Sequence, residues 1–430
     1  MKRAALLLAF ALLAPEAARG QAFLRWDQAA RALGMGGAAA ALADDPSATF
    51  FNPAGIVWLP GTQVQVGGGF GTRDASFDAF GAPDADADAE FAASPGLYVT
   101  HAIAAGWTGG FSLTEPWRAR VAWNDANDFV GRFRATDTSV RGLVFNPVIA
   151  WQPAPQWSVA AGVAVVEGSL RLERFEQNPR ISALGGAGPI ALAHATIDLE
   201  STGIGWNAGA YWRPLEELST GIQFRSRVTA TLSGTADFSL VASEDVRQLR
   251  LPTGERVGVF LDRTYVDQAA RSRLVLPAIV IAGAAWSPIP PVVLDADLQW
   301  TGWESLDEIA LAFADTALGD ATPLDYEDSW SLRLGAEMHP EGGLRFRAGF
   351  AREWSPAPFG AVTPLIPDAD RNTVSFGAGA LWRGIDFDVG YRLTVLEDRE
   401  GVAFPLNTSS ADGIYESVEH AFAIAATRRF

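Results

Sequence analysis

The sequence has 430 residues and no cysteine, and its 50 acidic side chains outnumber its 33 Lys and Arg side chains, giving a formal net charge of −17. This charge argues against a nucleic-acid partner, because binding to phosphate backbones needs clustered positive charge. The absence of cysteine excludes disulfides and thiolate metal sites. The 43 Gly, 25 Phe and 15 Trp residues suit a chain with many turns and bands of aromatic side chains.

The chain begins with a basic pair, Lys2 and Arg3, followed by an apolar run over residues 4–14 and a stretch of small residues that ends near Gly20. This layout is typical of a secretory signal peptide. The apolar run is too short to cross a bilayer, which needs about 20 residues. We therefore predict that residues 1–20 are a signal peptide and that the protein leaves the cytoplasm.

From about residue 61 the sequence consists of short segments in which apolar and polar residues alternate. Leu298 and Trp300, for example, fall on one face of a segment, while Asp295 and Asp297 fall on the other. A period of two residues predicts strands. No later segment is long and apolar enough to be a transmembrane helix, so in a membrane this chain must form a closed barrel. The period alone does not distinguish such a barrel from a soluble sandwich.

The alternating segments number about 14, and an even number suits an antiparallel barrel. Their centres lie near residues 66, 99, 110, 146, 162, 202, 225, 280, 297, 334, 348, 378, 390 and 424. The longest connections, over about 234–270, 304–327 and 396–416, are the expected extracellular loops. The last segment alternates up to Phe430, as in the C-terminal targeting strand of outer-membrane proteins.

Residues 21–60 are rich in Ala, are interrupted by Gly, and do not alternate. We interpret them as a compact plug. The sequence therefore predicts an all-β membrane protein in which an antiparallel transmembrane barrel of about 14 strands, over residues 61–430, is closed by an N-terminal hatch over residues 21–60.

Several short motifs occur in a specific order and spacing. They are GMGGA at 34–38, ADDP at 43–46, NPAG at 52–55, GIQFRSR at 221–227, LP at 276–277, WTGWESLDE at 300–308, SPAP at 355–358 and IPDADR at 366–371. Together, from about residue 25 to the C-terminus, they resemble the FadL family of outer-membrane transporters of long-chain fatty acids and other hydrophobic compounds. The N-terminal motifs alone also resemble barrels that act in protein secretion, whereas the later motifs favour the transporter branch.

The resemblance implies passive uptake of long-chain fatty acids or other hydrophobic small molecules through a hatch-gated barrel in the outer membrane. The cargo would leave sideways, beside a kinked third strand. Aromatic or alkane hydrocarbons are the alternative cargo, and a partner role in protein secretion is the alternative function. The implied partners are the hydrophobic ligand, outer-membrane lipid and lipopolysaccharide, and the barrel-assembly machinery, which would bind the strand ending at Phe430. No cofactor or metal is expected.

The resemblance also identifies candidate gating residues. The hatch motif consists of Asn52, Pro53, Ala54 and Gly55. Pro fixes φ and Asn bonds its own backbone, so this sequence predicts a stiff turn that could act as a latch facing the kinked strand. The third strand is expected within residues 104–114. Glycine in a strand often marks a bulge or a close backbone approach, and the candidates for the kink are Gly106, Gly109 and Gly110. The alternative at each position is that the small residue only packs against the hatch.

A fatty acid also needs a partner for its carboxylate, and a guanidinium offers a bidentate fork. The ligand-binding candidates are Arg225, Arg227, Arg333, Arg345, Arg347, Arg392 and Asp368. Most of the arginines are expected to pair instead with lumen acids. The expected acids are Asp295, Asp297, Glu337, Asp386 and Asp388. Asp368 matches a loop of the family near the ligand pocket, and we expect it to have an arginine neighbour.

The competing interpretation is that the barrel is an enzyme of the outer membrane. The chain has four histidines, His101, His194, His339 and His420. None of them lies in a motif of a serine hydrolase or a zinc protease. The sequence therefore predicts no catalytic residue.

Overall fold

The computed structural model of the protein describes residues 22–401, apart from residues 90, 187, 341 and 359–360, and residues 413–430. The predicted signal peptide and most of the predicted loop 396–416 lie outside the described residues. None of the helices in the described part of the chain is long and apolar enough to cross a membrane.

The alternating segments form strands. These are β1 (Thr62–Ala79), β2 (Ala85–Asp86), β3 (Ala92–Ala104), β4 (Trp107–Ala122), β5 (Asp137–Ala154), β6 (Trp157–Glu176), β7 (Ala193–Leu215), β8 (Leu218–Arg225), β9 (Val228–Leu240), β10 (Gln268–Leu276), β11 (Ile279–Ile289), β12 (Val292–Thr301), β13 (Glu308–Phe313), β14 (Asp320–Pro323), β15 (Ser329–Met338), β16 (Leu344–Glu353), β17 (Arg371–Trp382), β18 (Ile385–Leu396), β19 (Arg399–Gly401) and β20 (Gly413–Arg429).

The strands pair with their neighbours in antiparallel register, and β20 pairs with β1, so the sheet closes on itself. Three wall strands are interrupted and consist of two segments each, namely β8 with β9, β10 with β11, and β12 with β13. The short strands β2, β14 and β19 lie in loops. The wall thus has 14 antiparallel strands, which confirms the predicted number, and each predicted centre falls in a different wall strand.

The helices are short. They are α1 (Ala30–Gly34), α2 (Ala48–Phe51), α3 (Pro179–Gly185), α4 (Glu244–Gln248) and α5 (Val257–Thr264), with 3-10 turns at Pro53–Trp58, Trp303–Ser305 and Thr316–Leu318. The predicted loop 234–270 is shorter in the structure, because β9 continues to Leu240 and β10 begins at Gln268. It carries α4 and α5. The predicted loop 304–327 contains β13 and β14.

The barrel is apolar outside, and its interior holds buried polar and charged side chains beside an apolar cluster that includes Val144, Leu170 and Ile197. Gln65 on the inner face of β1 is 1% exposed, whereas its neighbour Val66 on the outer face is 57% exposed. In β15, Arg333 is buried in the lumen while Leu334 faces outward. A soluble sandwich has the opposite arrangement, with its apolar faces in the core. The direction of the alternation therefore settles what the period left open, and it matches a transmembrane barrel.

Tryptophan pairs lie on the outer surface at the end with the short turns. Trp107 stacks on Trp151 with ring centroids 5.6 Å apart, and Trp157 stacks on Trp212 at 5.1 Å. All four side chains are more than a third exposed. Amphipathic rings in such a row are typical of the girdle where a barrel meets the membrane–water interface.

Residues 22–60, the N-terminal segment, lie inside the barrel. Helix α1 packs on β17 and β18, and the 3-10 turn Pro53–Trp58 packs on β5, β6 and β7. Small residues allow this close approach. Gly36 has φ +69°, and a Cβ there would lie 2.9 Å from the backbone of Phe350. The segment ends close to the start of β1 at Thr62. That it forms a separate domain stays a prediction.

An ion-pair network joins the N-terminal segment to the wall. Arg31 donates through Nε and Nη2 to the two carboxylate oxygens of Glu337, at 2.9 and 2.8 Å. Glu337 also accepts from Arg347, which donates to Asp388 at 2.7 Å. All of these groups are buried. Removing Glu337 would leave Arg31 with Asp44 and Asp45 and Arg347 with Asp388, but without the acid that the two arginines share.

We expect Glu337→Gln to lower the free energy of unfolding by about 1.5–3 kcal/mol, because Arg31 and Arg347 lose the charged acceptor that they share but keep their other acids. Urea unfolding in lipid vesicles measures the change. Glu416→Gln, at an exposed position on β20, is the matched control and should unfold like the unmodified protein. Equal stability of the two variants would contradict a stabilising role for the network.

Candidate functional site

The hatch motif forms a tight junction with the wall. Asn52 is fully buried, and its Nδ2 donates to the carbonyl oxygens of Ala40 and Ala210 at 2.9 and 3.2 Å. Its Oδ1 accepts from the Ala54 amide at 3.2 Å and thereby caps the 3-10 turn. The hydroxyl of Ser158 on β6 donates to the Ala54 carbonyl at 2.7 Å. The motif therefore fastens the N-terminal segment to β6 and β7.

Two wall glycines make room for this junction. A Cβ on Gly209 would lie 2.4 Å from Oδ1 of Asn52, and a Cβ on Gly221 would lie 2.0 Å from the Ala40 carbonyl. Pro53 follows Asn52 at the first position of the 3-10 turn, where a missing N–H does no harm. Gly55 of the same motif packs against Ala43. The stiff turn expected from the sequence is present.

The third wall strand is β4, and two of the three candidate glycines lie in it. Gly106 occupies the turn before it, with φ +73°. Gly109 and Gly110 keep regular pairing with both neighbouring strands. A Cβ on Gly110 would come within 2.9 Å of Thr49 and Ile56. Gly110 therefore admits the N-terminal segment and does not bend the strand.

The irregularity of β4 lies instead at Glu115 and Pro116. Pairing with β5 changes register between Thr114 and Trp117, so these two residues stand opposite Leu143 alone. This is a β-bulge, and Pro116 fits there because it lacks an N–H to donate to a ladder. The sequence analysis considered only glycines as kink residues and therefore missed Pro116.

The bulge borders a gap in the wall. The ladder between β3 and β4 ends at the pair of Leu97 and Leu113. Beyond it the N-terminal segment takes the place of β3: the Arg25 amide donates to the Pro116 carbonyl at 2.7 Å, and the Arg118 amide donates to the Phe23 carbonyl at 2.8 Å. The N-terminal segment thus closes the wall beside the third strand.

Four of the six candidate arginines face the lumen and pair with acids there. The pairs are Arg333 with Glu353 (2.8 Å), Arg345 with Asp386 (3.0 Å), Arg347 with Asp388 (2.7 Å) and Arg392 with Asp27 (3.6 Å) and Glu419 (3.8 Å). Such groups hold the lumen together. They are poor candidates for binding a ligand, because each would have to leave its acid first.

Arg227 lies on the exposed outer surface and not in the lumen. The strand is interrupted between β8, which ends at Arg225, and β9, which begins at Val228. The interruption shifts the alternation by one residue, so Arg227 turns outward. It lines an open crevice of about 1100 Å³ together with Arg273 and Trp300.

Arg225 faces the lumen and has no acid partner among the residues that the structure describes. Its Nη2 donates to the carbonyl of Phe50, and its guanidinium lies 4.0 Å from the centroid of the Phe50 ring. Gln223 donates to the same carbonyl at 3.1 Å. The Nε of Arg225 has no partner. This cation is compensated only by the dipole and ring of Phe50, in the last turn of α2.

Asp368 is buried, and it has the arginine neighbour that we expected. Arg371 donates to it at 2.5 Å and also donates to the Ala22 carbonyl at 2.6 Å. Ser355 donates to the second carboxylate oxygen at 2.8 Å. The sequence places Asp368 and Arg371 three residues apart in one motif, but Arg371 was not among the candidates.

The paired acids Asp44 and Asp45 contribute to the folding of the N-terminal segment. Both contact Arg31, Asp45 at 3.4 Å, and Asp45 also accepts from the Ser47 amide at 2.7 Å. Burial raises the pKa of the Asp45 carboxyl above its ordinary value, and the charge of Arg31 opposes this shift. These contacts account for the motif without a ligand.

Sequence reasoning assigned no role to a row of aromatic side chains that crosses the lumen. The ring of Trp303 lies 5.0 Å from that of Phe23, 6.1 Å from that of Trp117 and 6.0 Å from that of Tyr326, measured between centroids. Trp303 is fully buried, and its indole N–H has no partner. The row leads from the wall at β12 to the bulge of β4, and its residues are too far apart in the sequence for a local pattern to show it.

Residues 11–430 match the model of a family described as outer membrane protein transport protein (OMPP1/FadL/TodX). The long-chain fatty acid transport protein of Salmonella typhi is 23% identical over 367 residues, which are 81% of each chain. That of Escherichia coli K12 is 23% identical over 309 residues, which are 66% of each chain.

Solved structures show the same fold. A FadL homologue of Pseudomonas aeruginosa superimposes with a TM-score of 0.83 at 20% identity, covering 95% of this chain and all of that one. The toluene transporter TodX of Pseudomonas putida gives a TM-score of 0.71 at 17% identity, covering 96% of this chain and 99% of that one.

The family match spans the N-terminal segment and the whole barrel, and the outer wall is apolar while buried polar and charged side chains line part of the lumen. These findings confirm the location in the outer membrane and the transport function that the motifs implied. The chain belongs to the OMPP1/FadL/TodX family of outer-membrane transport proteins.

Proposed function

We propose that this transporter takes up long-chain fatty acids by passive diffusion and that Arg225 receives the carboxylate. The single observation that carries this proposal is the charge of Arg225, which faces the lumen with no acid partner in the described chain. Arg225 is half-buried, and a charge withdrawn from water normally has a counter-ion. A ligand that supplies a carboxylate would complete the site.

The geometry favours exchange at this position. An ionised acceptor makes a shorter and stronger hydrogen bond to a guanidinium than a neutral carbonyl does. A carboxylate entering the lumen would therefore compete with the Phe50 carbonyl for Arg225. The unpartnered Nε adds a second donor for a bidentate contact.

This exchange would also loosen the N-terminal segment. Phe50 lies in the last turn of α2, two residues before Asn52 and its junction with the wall. When Arg225 turns to a ligand, Gln223 remains as the wall donor to the Phe50 carbonyl. We propose that head-group binding weakens the hold of the wall on the hatch motif and that the segment then shifts.

The apolar tail has a matching path in the row of aromatic rings from Trp303 to Trp117. The row ends where residues 23–25 close the gap beside β4. We propose that this gap is the sideways exit and that the N-terminal segment acts as its hatch. The proposal assigns no catalytic residue, because it requires only that the ligand be bound and released.

A toluene transporter shares the fold, so an aromatic hydrocarbon is the competing cargo. Stacked and edge-on rings in the lumen would accommodate it. Such a cargo has no charge and would not need Arg225. The two cargo classes therefore differ in their dependence on one residue.

We expect Arg225→Met to weaken oleate binding by about tenfold or more, because hydrogen bonds to charged groups contribute about 1.5–3 kcal/mol. Hexadecane binding should stay unchanged. Equilibrium binding of radiolabelled ligand to the protein in lipid nanodiscs measures both affinities. Arg273→Met, on the exposed crevice, is the control and should alter neither affinity. Equal losses for oleate and hexadecane in Arg225→Met would show that the residue is structural and that the cargo class is wrong.

The exit can be tested with a reversible cross-link, because the chain has no cysteine. Leu24 and Trp117 pair across the gap, so a disulfide between Leu24→Cys and Trp117→Cys would fasten the N-terminal segment to β4. We expect oxidation to abolish oleate uptake by cells and reduction to restore it. The reduced protein controls for the side chains lost. Normal uptake by the oxidised protein would rule out an exit at this gap.

A further inference from the structure

One residue, Glu115, stands at the centre of the gap beside β4. It occupies the bulge, where the ladder to β3 has ended and the register to β5 changes. It is 1% exposed although it carries a charge. Glu115 is thus a carboxylate that is buried in the barrel wall. It lies where the N-terminal segment completes the described wall.

The side chain of Glu115 joins three wall strands. Its Oε1 accepts from Arg141 on β5 at 2.7 Å, and its Oε2 accepts from Arg118 on β4 at 2.9 Å. The hydroxyl of Ser94 on β3 donates to Oε2 at 3.3 Å. Hydrogen bonds from side chains thus bridge the stretch where the backbone ladder is missing.

The main chain of Glu115 binds the N-terminal segment. The Glu115 amide donates to Oε1 of Gln28 at 2.9 Å, and Nε2 of Gln28 donates to the Glu115 carbonyl at 3.1 Å. The Gln28 amide group therefore takes the place that a neighbouring strand would have. Gln28 is itself buried.

These two sets of contacts depend on each other. If Gln28 withdraws, the main-chain groups of Glu115 lose their partners inside the wall, which is costly. If the ion pairs with Arg118 and Arg141 break, the bulge loses the groups that fix its position. Withdrawal of the N-terminal segment and opening of the wall therefore favour each other.

We propose that Glu115 is a positioning residue that holds the wall gap closed and couples its opening to the withdrawal of Gln28. This proposal rests on the proposed sideways exit. It adds that Glu115 regulates the exit and that the exit responds to the withdrawal of Gln28.

The opening can be measured without any cargo. Pro95→Cys on β3 and Leu143→Cys on β5 place spin labels on opposite sides of β4, and no native cysteine interferes. In this background the distance distribution between the labels should be narrow. Glu115→Gln keeps the main-chain bonds to Gln28 but removes the negative charge, and we expect a second population at longer distance.

Transport supplies an independent measurement. We expect Glu115→Gln to raise the initial rate of oleate uptake by about threefold or more, because it removes two ion pairs, with Arg118 and with the partly exposed Arg141. Arg141→Gln removes one of these pairs and should raise the rate by a smaller factor, and the double variant should not exceed Glu115→Gln, in which the pair with Arg141 is already lost. Arg171→Gln, which removes an exposed pair with Asp198, is the matched control and should change neither measurement.

An unchanged distance distribution in both Glu115→Gln and Arg141→Gln would overturn the proposal. A longer distance without faster oleate uptake would instead support the wall lock and contradict the proposed cargo or exit. Arg141→Gln keeps the test decisive if Glu115→Gln fails to insert into the membrane.

Discussion

The structure depends on how a polar lumen binds the backbone of the N-terminal segment. Residues 22–60 have little regular structure, so their amides need partners inside the barrel. Wall side chains supply them: Asp297 accepts from the Ala39 and Ala40 amides at 2.8 and 3.0 Å, and Ser375 accepts from the Gly36 amide at 2.8 Å. Because buried polar groups must be paired, the wall dictates where the segment lies. Withdrawal of the segment would have to break these hydrogen bonds one after another.

Charge in the lumen follows the same logic at most positions, and the exceptions include Arg225 and Asp295, whose carboxyl oxygens have no hydrogen-bond partner among the described residues. Paired arginines and acids fix the wall and the N-terminal segment relative to each other, as Arg31 does with Glu337. Arg225 alone among the candidates that face the lumen has a carbonyl and a ring in place of an acid. These contacts hold Phe50 to the wall. In the proposed function the same cation would also recognise an anionic ligand.

The strands could be predicted because their signal is local. Alternation assigns Trp300 and Asp297 to opposite faces within a single segment, and the structure confirms it. The same rule failed for Arg227, since an interruption of two residues after β8 reverses the phase. A different rule, glycine as the mark of a bulge, missed the bulge of β4, because its position at Glu115 and Pro116 depends on the register of β5. Neither β5 nor the N-terminal segment can be positioned from the residues of β4 alone.

The sequence by itself determined the barrel, its number of strands and the family, because a period of two residues and ordered motifs are properties of the chain. Only the tertiary structure decided which of the lumen-facing candidate arginines lacks an acid and which residues lie at the gap in the wall. Arg392 meets Asp27, and Glu115 meets Gln28, across long separations in sequence. Such partners are set by which strands are neighbours and by how the N-terminal segment packs between them. A local pattern carries no information about either.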